Sequence, residues 1–171
     1  MERELQSEDW QVPGVELNEA SYSDCAELAP LLRQEDREEC RKMSGADGLY
    51  ALVSGLKVSE VCVSARYEGT IVSMFGYHTQ RIGDGIQRVI WMLGSELMTT
   101  KPIIVVKLGR MFTLEALHGA DVVGNWVDSA NHTHMDWLWH IGYRPTMENL
   151  IGPNKYKFYW FQITKEDRDN V

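Results

Sequence analysis

Several common protein classes are excluded by what this sequence lacks. Its three cysteines, Cys25, Cys40 and Cys62, are odd in number, widely spaced and without a C-x-x-C pair. That pattern argues against a disulfide framework and a zinc knuckle, and it fits a reducing compartment. No stretch approaches the eighteen or so apolar residues of a membrane-spanning helix, so no membrane is expected among its partners. The opening MERELQSEDW has neither the basic start nor the apolar run of a signal peptide, and a soluble protein made in the cytosol is expected. Positive charge is scarce as well: 17 Lys and Arg stand against 25 Asp and Glu, a net charge of -8. Nucleic-acid affinity depends on clustered cations that release counterions, so nucleic acid is not an expected partner. Internal repeats and low-complexity segments are also missing.

What is present suits one globular unit, since 171 residues with 44% hydrophobic content can bury a sizeable core. Residues 1–14 are expected as a flexible tail, 15–165 as the domain and 166–171 as a second tail. A first strand is predicted at Val15 to Leu17. SYSDCAELAPLLRQ predicts a helix with Ser21 as N-cap and Asp24 in a capping-box position. A second helical stretch runs from Glu35 to Lys42 and resumes, after the Gly45 to Gly48 break, through Leu49, Leu52, Val53 and Leu56. VCVSARY, TIVSMFGYH and QRVIWML then read as an antiparallel meander joined by glycine turns. IIVVKLGRMFTLEALHG has the β-branched start of a strand, but its length and terminal Gly119 favour a helix. VVGNWVD follows as a central strand, NHTHMDWLWHIG as a helix and KYKFYWFQITK as an aromatic final strand with both faces covered.

This α/β order, an antiparallel meander leading into a βαβ-like half with helices on both faces, resembles the GNAT fold of acyl-CoA N-acyltransferases. The resemblance implies a mixed sheet whose fourth and fifth strands splay to admit the pantetheine of acetyl-CoA. Gln80-Arg81-Ile82-Gly83-Asp84-Gly85 matches the letters of the pyrophosphate-binding Q-x-x-G-x-G loop. A strand follows it instead of a helix, so a hairpin turn is the better reading. The position for a cradle is the stretch after the third meander strand, where Leu93, Gly94, Ser95, Thr99, Thr100 and Lys101 are the candidate cofactor contacts. One glycine folds less tightly than three, Thr99 or Thr100 can equally be a helix cap, and Gly94 can equally mark a β-bulge. Asn131, Ile141, Gly142 and Tyr143 match the family's next motif. Leu138 stands where the family has the tyrosine that protonates the leaving thiolate, leaving Tyr143, Tyr22 and Cys62 as substitutes.

Glu96 and Asp128 are the candidate carboxylates for deprotonating an amine, with solvated or capping roles as the plainer alternative. His134 is either a helix-start residue or a general base. His132, His134 and His140 do not have ligand spacing, and no metal is expected.

A narrower resemblance is carried by LRQEDREE, FGYH, WMLGSELM, NWVDSANHTHMDWLWHIGY and GPNKYKFYWFQI. These blocks, spread over Leu17 to Ile163, look like those of the GNAT-like internal virion protein A family of short-tailed bacteriophages. That family shares the motif N-x-x-H-x-x-aromatic-L-x-x-I-G and hence the leucine at position 138. The resemblance implies a phage protein of the infected host cytoplasm or the virion interior, partnered by a phage virion or host protein. Two functions are expected from it: a morphogenesis protein with weak or lost acyltransferase activity, or an active acetyl-CoA-dependent N-acetyltransferase acting on a host or virion protein.

Overall fold

The structure, a computed structural model, describes residues 11–171. Its centre is a seven-stranded mixed sheet in the order β1-β2-β3-β4-β5-β7-β6. β1 (Val15–Glu19), β2 (Val61–Tyr67), β3 (Thr70–Ile82) and β4 (Gly85–Gly94) run antiparallel to one another, β4 meets β5 (Val122–Asp128) in parallel, and β7 (Tyr156–Thr164) lies between β5 and β6 (Arg144–Ile151). α1 (Tyr22–Leu28), α2 (Gln34–Ser44) and α3 (Gly48–Val58) precede the meander. α4 (Leu97–Thr100) and α5 (Pro102–Leu117) join β4 to β5, and α6 (His132–Ile141) leads to β6.

Local chemistry sets most of these boundaries. The Ser21 hydroxyl accepts from Asp24 N at 3.2 Å while Asp24 accepts from Ser21 N at 2.9 Å, the capping box anticipated at α1. The helix stops at Leu28, earlier than expected, because Pro30 diverts the chain into a 3-10 turn over Ala29–Leu31. Asp47 caps α3, Pro102 opens α5, and Gly142, at φ 121°, ends α6. Gly83, at φ 59°, makes the tight β3–β4 hairpin, so the Gln80 to Gly85 motif is a turn between strands.

Alternation along β2 and β3 sends Cys62 and Met74 to one face, and Val63, Phe75 and Tyr77 to the other. The first face packs with Cys25, Leu28 and Leu52. The second packs with Leu108, Phe112, Leu138, Ile141 and Tyr143, and Phe75 and Phe112 meet edge to face with centroids 4.7 Å apart.

Four differences from the sequence reading have physical causes. β6 was not foreseen because its side chains are almost all exposed and Pro145 lies within it, leaving neither alternation nor an apolar run to detect. Gly94 is not a bulge, since the β3–β4 register runs unbroken from Ser73–Gly94 to Ile82–Gly85. Of the expected N-terminal tail, residues 1–10 lie outside the described residues, while Val12 is buried in the larger core. At the other end Lys165–Asn170 forms a 3-10 helix capped by Thr164, where a tail was expected.

Close packing makes Gly124 a sensitive position. A Cβ there would stand 2.3 Å from Trp160 Cζ2 and 2.8 Å from the Phe161 carbonyl oxygen. Gly124→Ala is expected to cost about 1–3 kcal/mol by overpacking, read from urea unfolding. A loss below about 0.5 kcal/mol would show that Trp160 does not seat against this strand.

Candidate functional site

β4 and β5 pair only at Gln87–Val122, Arg88–Val123 and Val89–Gly124. Beyond that, Ile90 to Gly94 pairs only with β3 and Asn125 to Asp128 only with β7, so the sheet opens between them. An apolar cavity lies on the α5–α6 side, lined by Ile90, Leu108, Phe112, Leu138 and Tyr143 among others. On the α2–α3 side a second cavity, about 230 Å³, is lined by Glu39, Met43, Tyr50, Leu93 and Trp126 among others. Trp91, Met92 and Asn125 border both, so the cavities meet at the parting of the strands.

α2 spans this opening with Arg33, at its N-cap, Asp36, Glu39 and Lys42, each three residues from the next so that successive side chains are neighbours on the helix. Arg33 and Asp36, 2% and 3% exposed, form an ion pair. Asp36 Oδ2 also accepts from Gly94 N at 2.8 Å, and Arg33 N donates to the Gly94 carbonyl at 2.9 Å. Burial pushes the Asp36 carboxyl up, opposed first by the Arg33 guanidinium and then by the Gly94 N–H. The guanidinium lies 4.6 Å from the Trp137 ring centroid. Glu39 Oε2 accepts from Asn131 Nδ2 at 2.7 Å and stands 3.9 Å from His134 Nδ1. Lys42 pairs with Asp128 at the end of β5. One helix thus ties the last residue of β4, the last residue of β5 and the first turn of α6.

No protein-family profile and no curated protein sequence matches the chain. Solved structures do. An aminoglycoside N(6')-acetyltransferase from Legionella pneumophila superposes with TM-score 0.70 at 10% identity, covering 94% of this chain and 97% of that one. RimJ of Mycobacterium smegmatis, in complex with CoA-disulfide, gives 0.68 at 15%, covering 90% and 83%. A GNAT-family acetyltransferase from Bacillus anthracis gives 0.65 at 9%, covering 91% and 98%. The fold is that of the GNAT acetyltransferases. Identities this low carry the fold alone, and function has to be argued from the site.

Much of the backbone of the segment after β4 is engaged within the protein. Backbone N–H groups of Gly94, Ser95, Met98, Thr99, Lys101, Ile104 and Val105 already donate within the protein, and Pro102 has none. A Cβ at Gly94 would stand 1.6 Å from Met98 Sδ, so this glycine accommodates a side chain of its own chain. Met98, Val105 and Trp137 pack into one buried cluster. Among the predicted contacts, Leu93 borders the α2–α3 cavity, Ser95 is buried, Thr99 and Thr100 are exposed, and Lys101 Nζ sits 4.8 Å from the Tyr67 ring centroid. Asn131 caps α6, its side chain accepting from His134 N at 3.2 Å.

The predicted proton-transfer residues are not gathered in one place. Glu96 is exposed and borders a groove with Pro30, Leu31 and Thr70. Asp128 is held by Lys42, and His134 is buried beside Glu39. Tyr143 is sealed in the core with its hydroxyl 2.9 Å from Thr113 Oγ1, and burial pushes its phenol up. Tyr22 is 60% exposed on α1, and Cys62 packs among Cys25, Leu28 and Met74. The sequence reading did not single out Arg33, Asp36, Glu39 and Lys42. Their three-residue spacing was visible, but a charged helix side ordinarily reads as a solvated one.

Two outcomes follow. Asp36→Ala leaves Arg33 buried without its partner and is expected to cost about 3–5 kcal/mol in denaturant unfolding; a cost under about 1 kcal/mol would mean that the pair is hydrated. Burial pushes the Cys40 and Cys62 thiols up to about 12 and raises Cys25 as well. At about pH 8 the thiolate fraction of Cys40 and Cys62 is then on the order of one in 10⁴. Ellman's reagent is expected to label none of the three cysteines in native protein and all three in concentrated guanidinium. Rapid labelling of native Cys62 would restore it as a reactive group.

Proposed function

We propose that this chain is a GNAT-fold protein whose acyltransferase activity is weak or lost, and that it acts by binding another protein in bacteriophage particle assembly or in the infected host. The phage setting rests on the sequence blocks from LRQEDREE to GPNKYKFYWFQI. The observation that supports the loss of activity is the Gly94 peptide, whose N–H donates to the buried, Arg33-paired Asp36 carboxylate and whose carbonyl accepts from the Arg33 backbone N–H where β4 leaves its neighbour. A thioester cofactor lying along that strand would have to displace a buried ion pair to reach the same groups. Leu138, at the position of the family's acid, offers no proton to a leaving thiolate.

An active acyltransferase remains the second reading, favoured by the parted strands and by Glu39 and His134 beside the opening. Isothermal titration calorimetry with acetyl-CoA separates the two. No binding is expected with ligand in the millimolar range; sub-millimolar affinity would overturn the first reading.

A further inference from the structure

α5 carries apolar groups on two opposite sides. Val105, Leu108, Phe112 and Ala116 enter the buried clusters, while Ile103, Lys107, Arg110 and Leu114, spaced by four, three and four residues, form an exposed outward stripe. Ile103 keeps 73% of its surface in water. The stripe leads to the end of α6, where Arg110 Nη2 donates to the His140 carbonyl and Arg144 Nη1 to the Trp139 carbonyl, both at 3.1 Å. The Arg144 guanidinium lies 4.0 Å from the ring centroid of Trp139, a tryptophan 52% exposed. None of these exposed side chains lines either cavity at the parting of β4 and β5.

Charge is unmatched on this face. Arg33, Lys42, Arg66, Lys157 and Lys165 each stand within ion-pair distance of a carboxylate, whereas Lys107, Arg110 and Arg144 have no such carboxylate among the described residues. Asp136, one turn before His140, is exposed and pairs with none of the three. Backbone carbonyls take up only part of each guanidinium, which has five N–H donors. In a chain of net charge -8 the result is a local cationic surface with Ile103, Leu114 and Trp139 exposed within it. Tryptophan and arginine are the residue types that contribute most where protein surfaces meet. Stacking against Arg144 already restricts Trp139, so less rotamer freedom is lost on contact. Arg144 also lines a cleft of about 570 Å³ with Thr146 and Gln162, which gives the surface a concave flank. We infer that this α5–α6 face docks an acidic protein segment, its carboxylates held by Lys107, Arg110 and Arg144 and its apolar side chains by Ile103, Leu114 and Trp139. Three cations release too few counterions to hold nucleic acid against the charge of the whole chain. The inference rests on the protein-binding role proposed above and names its surface and the chemistry of its partner.

The probes are fluorescein-labelled peptides of equal length, built from aspartate-glutamate-leucine, lysine-lysine-leucine or aspartate-glutamate-serine repeats, and a labelled oligothymidylate with the net charge of the first. Each is mixed with increasing amounts of the full chain at low ionic strength while fluorescence anisotropy is followed. The acidic leucine peptide is expected to bind with a Kd of about 1 mM or tighter. The basic peptide and the oligothymidylate are expected to bind at least about tenfold more weakly, and the acidic serine peptide about threefold more weakly. Trp139→Ala and Lys107→Glu are each expected to weaken the acidic leucine peptide about fivefold. Lys57→Glu, an equal change of net charge at the exposed end of α3, is expected to leave its Kd within a factor of about two. If Trp139→Ala fails to fold, Lys107→Glu carries the test. Equal binding of the basic peptide, tighter binding of the oligothymidylate, no anisotropy change up to millimolar protein, or undiminished binding by the folded variants would overturn the inference. So would a dimer, seen by sedimentation, that Lys107→Glu dissolves, since the face would then belong to a second copy. Acetyl-CoA titrated into the same protein tests the preceding reading separately. Its binding would defeat the loss of activity and leave the acidic-peptide surface standing, whereas a silent peptide titration does the reverse.

Discussion

An ion pair withdrawn from water loses several kcal/mol of hydration per ion and recovers it only if its remaining donors and acceptors are met. Arg33 and Asp36 meet that condition by reaching outside their own helix. The carboxylate accepts from the Gly94 N–H and the guanidinium rests on Trp137, while beside them the backbone N–H of Arg33 donates to the Gly94 carbonyl. The strand end, the start of α2 and the middle of α6 are therefore fixed by one buried charge pair. Moving any of the three would expose an uncompensated charge to an apolar surrounding, which is why this corner holds its shape although β4 and β5 have stopped pairing.

Most of the fold was legible in the sequence because its signals are local. The capping box at Ser21 and Asp24, the change of period after Val58 and the glycine turn at Gly83 each depend on a few adjacent residues, and the structure has them where the pattern placed them. β6 lacked such a signal, being an exposed edge strand without alternation. The site was less legible for a related reason. Arg33, Asp36, Glu39 and Lys42 have the composition of a solvated helix side, and only the tertiary arrangement, with α2 laid across a gap between strands far away in sequence, buries them. Glu96 illustrates the converse. Its position next to a strand end made it a candidate, yet a strand end points to a site only when the chain turns inward there, and Glu96 faces outward.

The two sides of the parted sheet differ in what they can do. At the end of β4 the protein's own groups pack closely: Met98 against Gly94, Trp137 beside Arg33, and several backbone donors around the start of α5 engaged within the chain. On the α2–α3 side a cavity is bordered by Glu39, whose carboxylate accepts from Asn131 and stands 3.9 Å from His134 Nδ1. α2 joins the two sides, since the same helix that sets Arg33 and Asp36 against the strand end places Glu39, one turn later, at the border of the α2–α3 cavity.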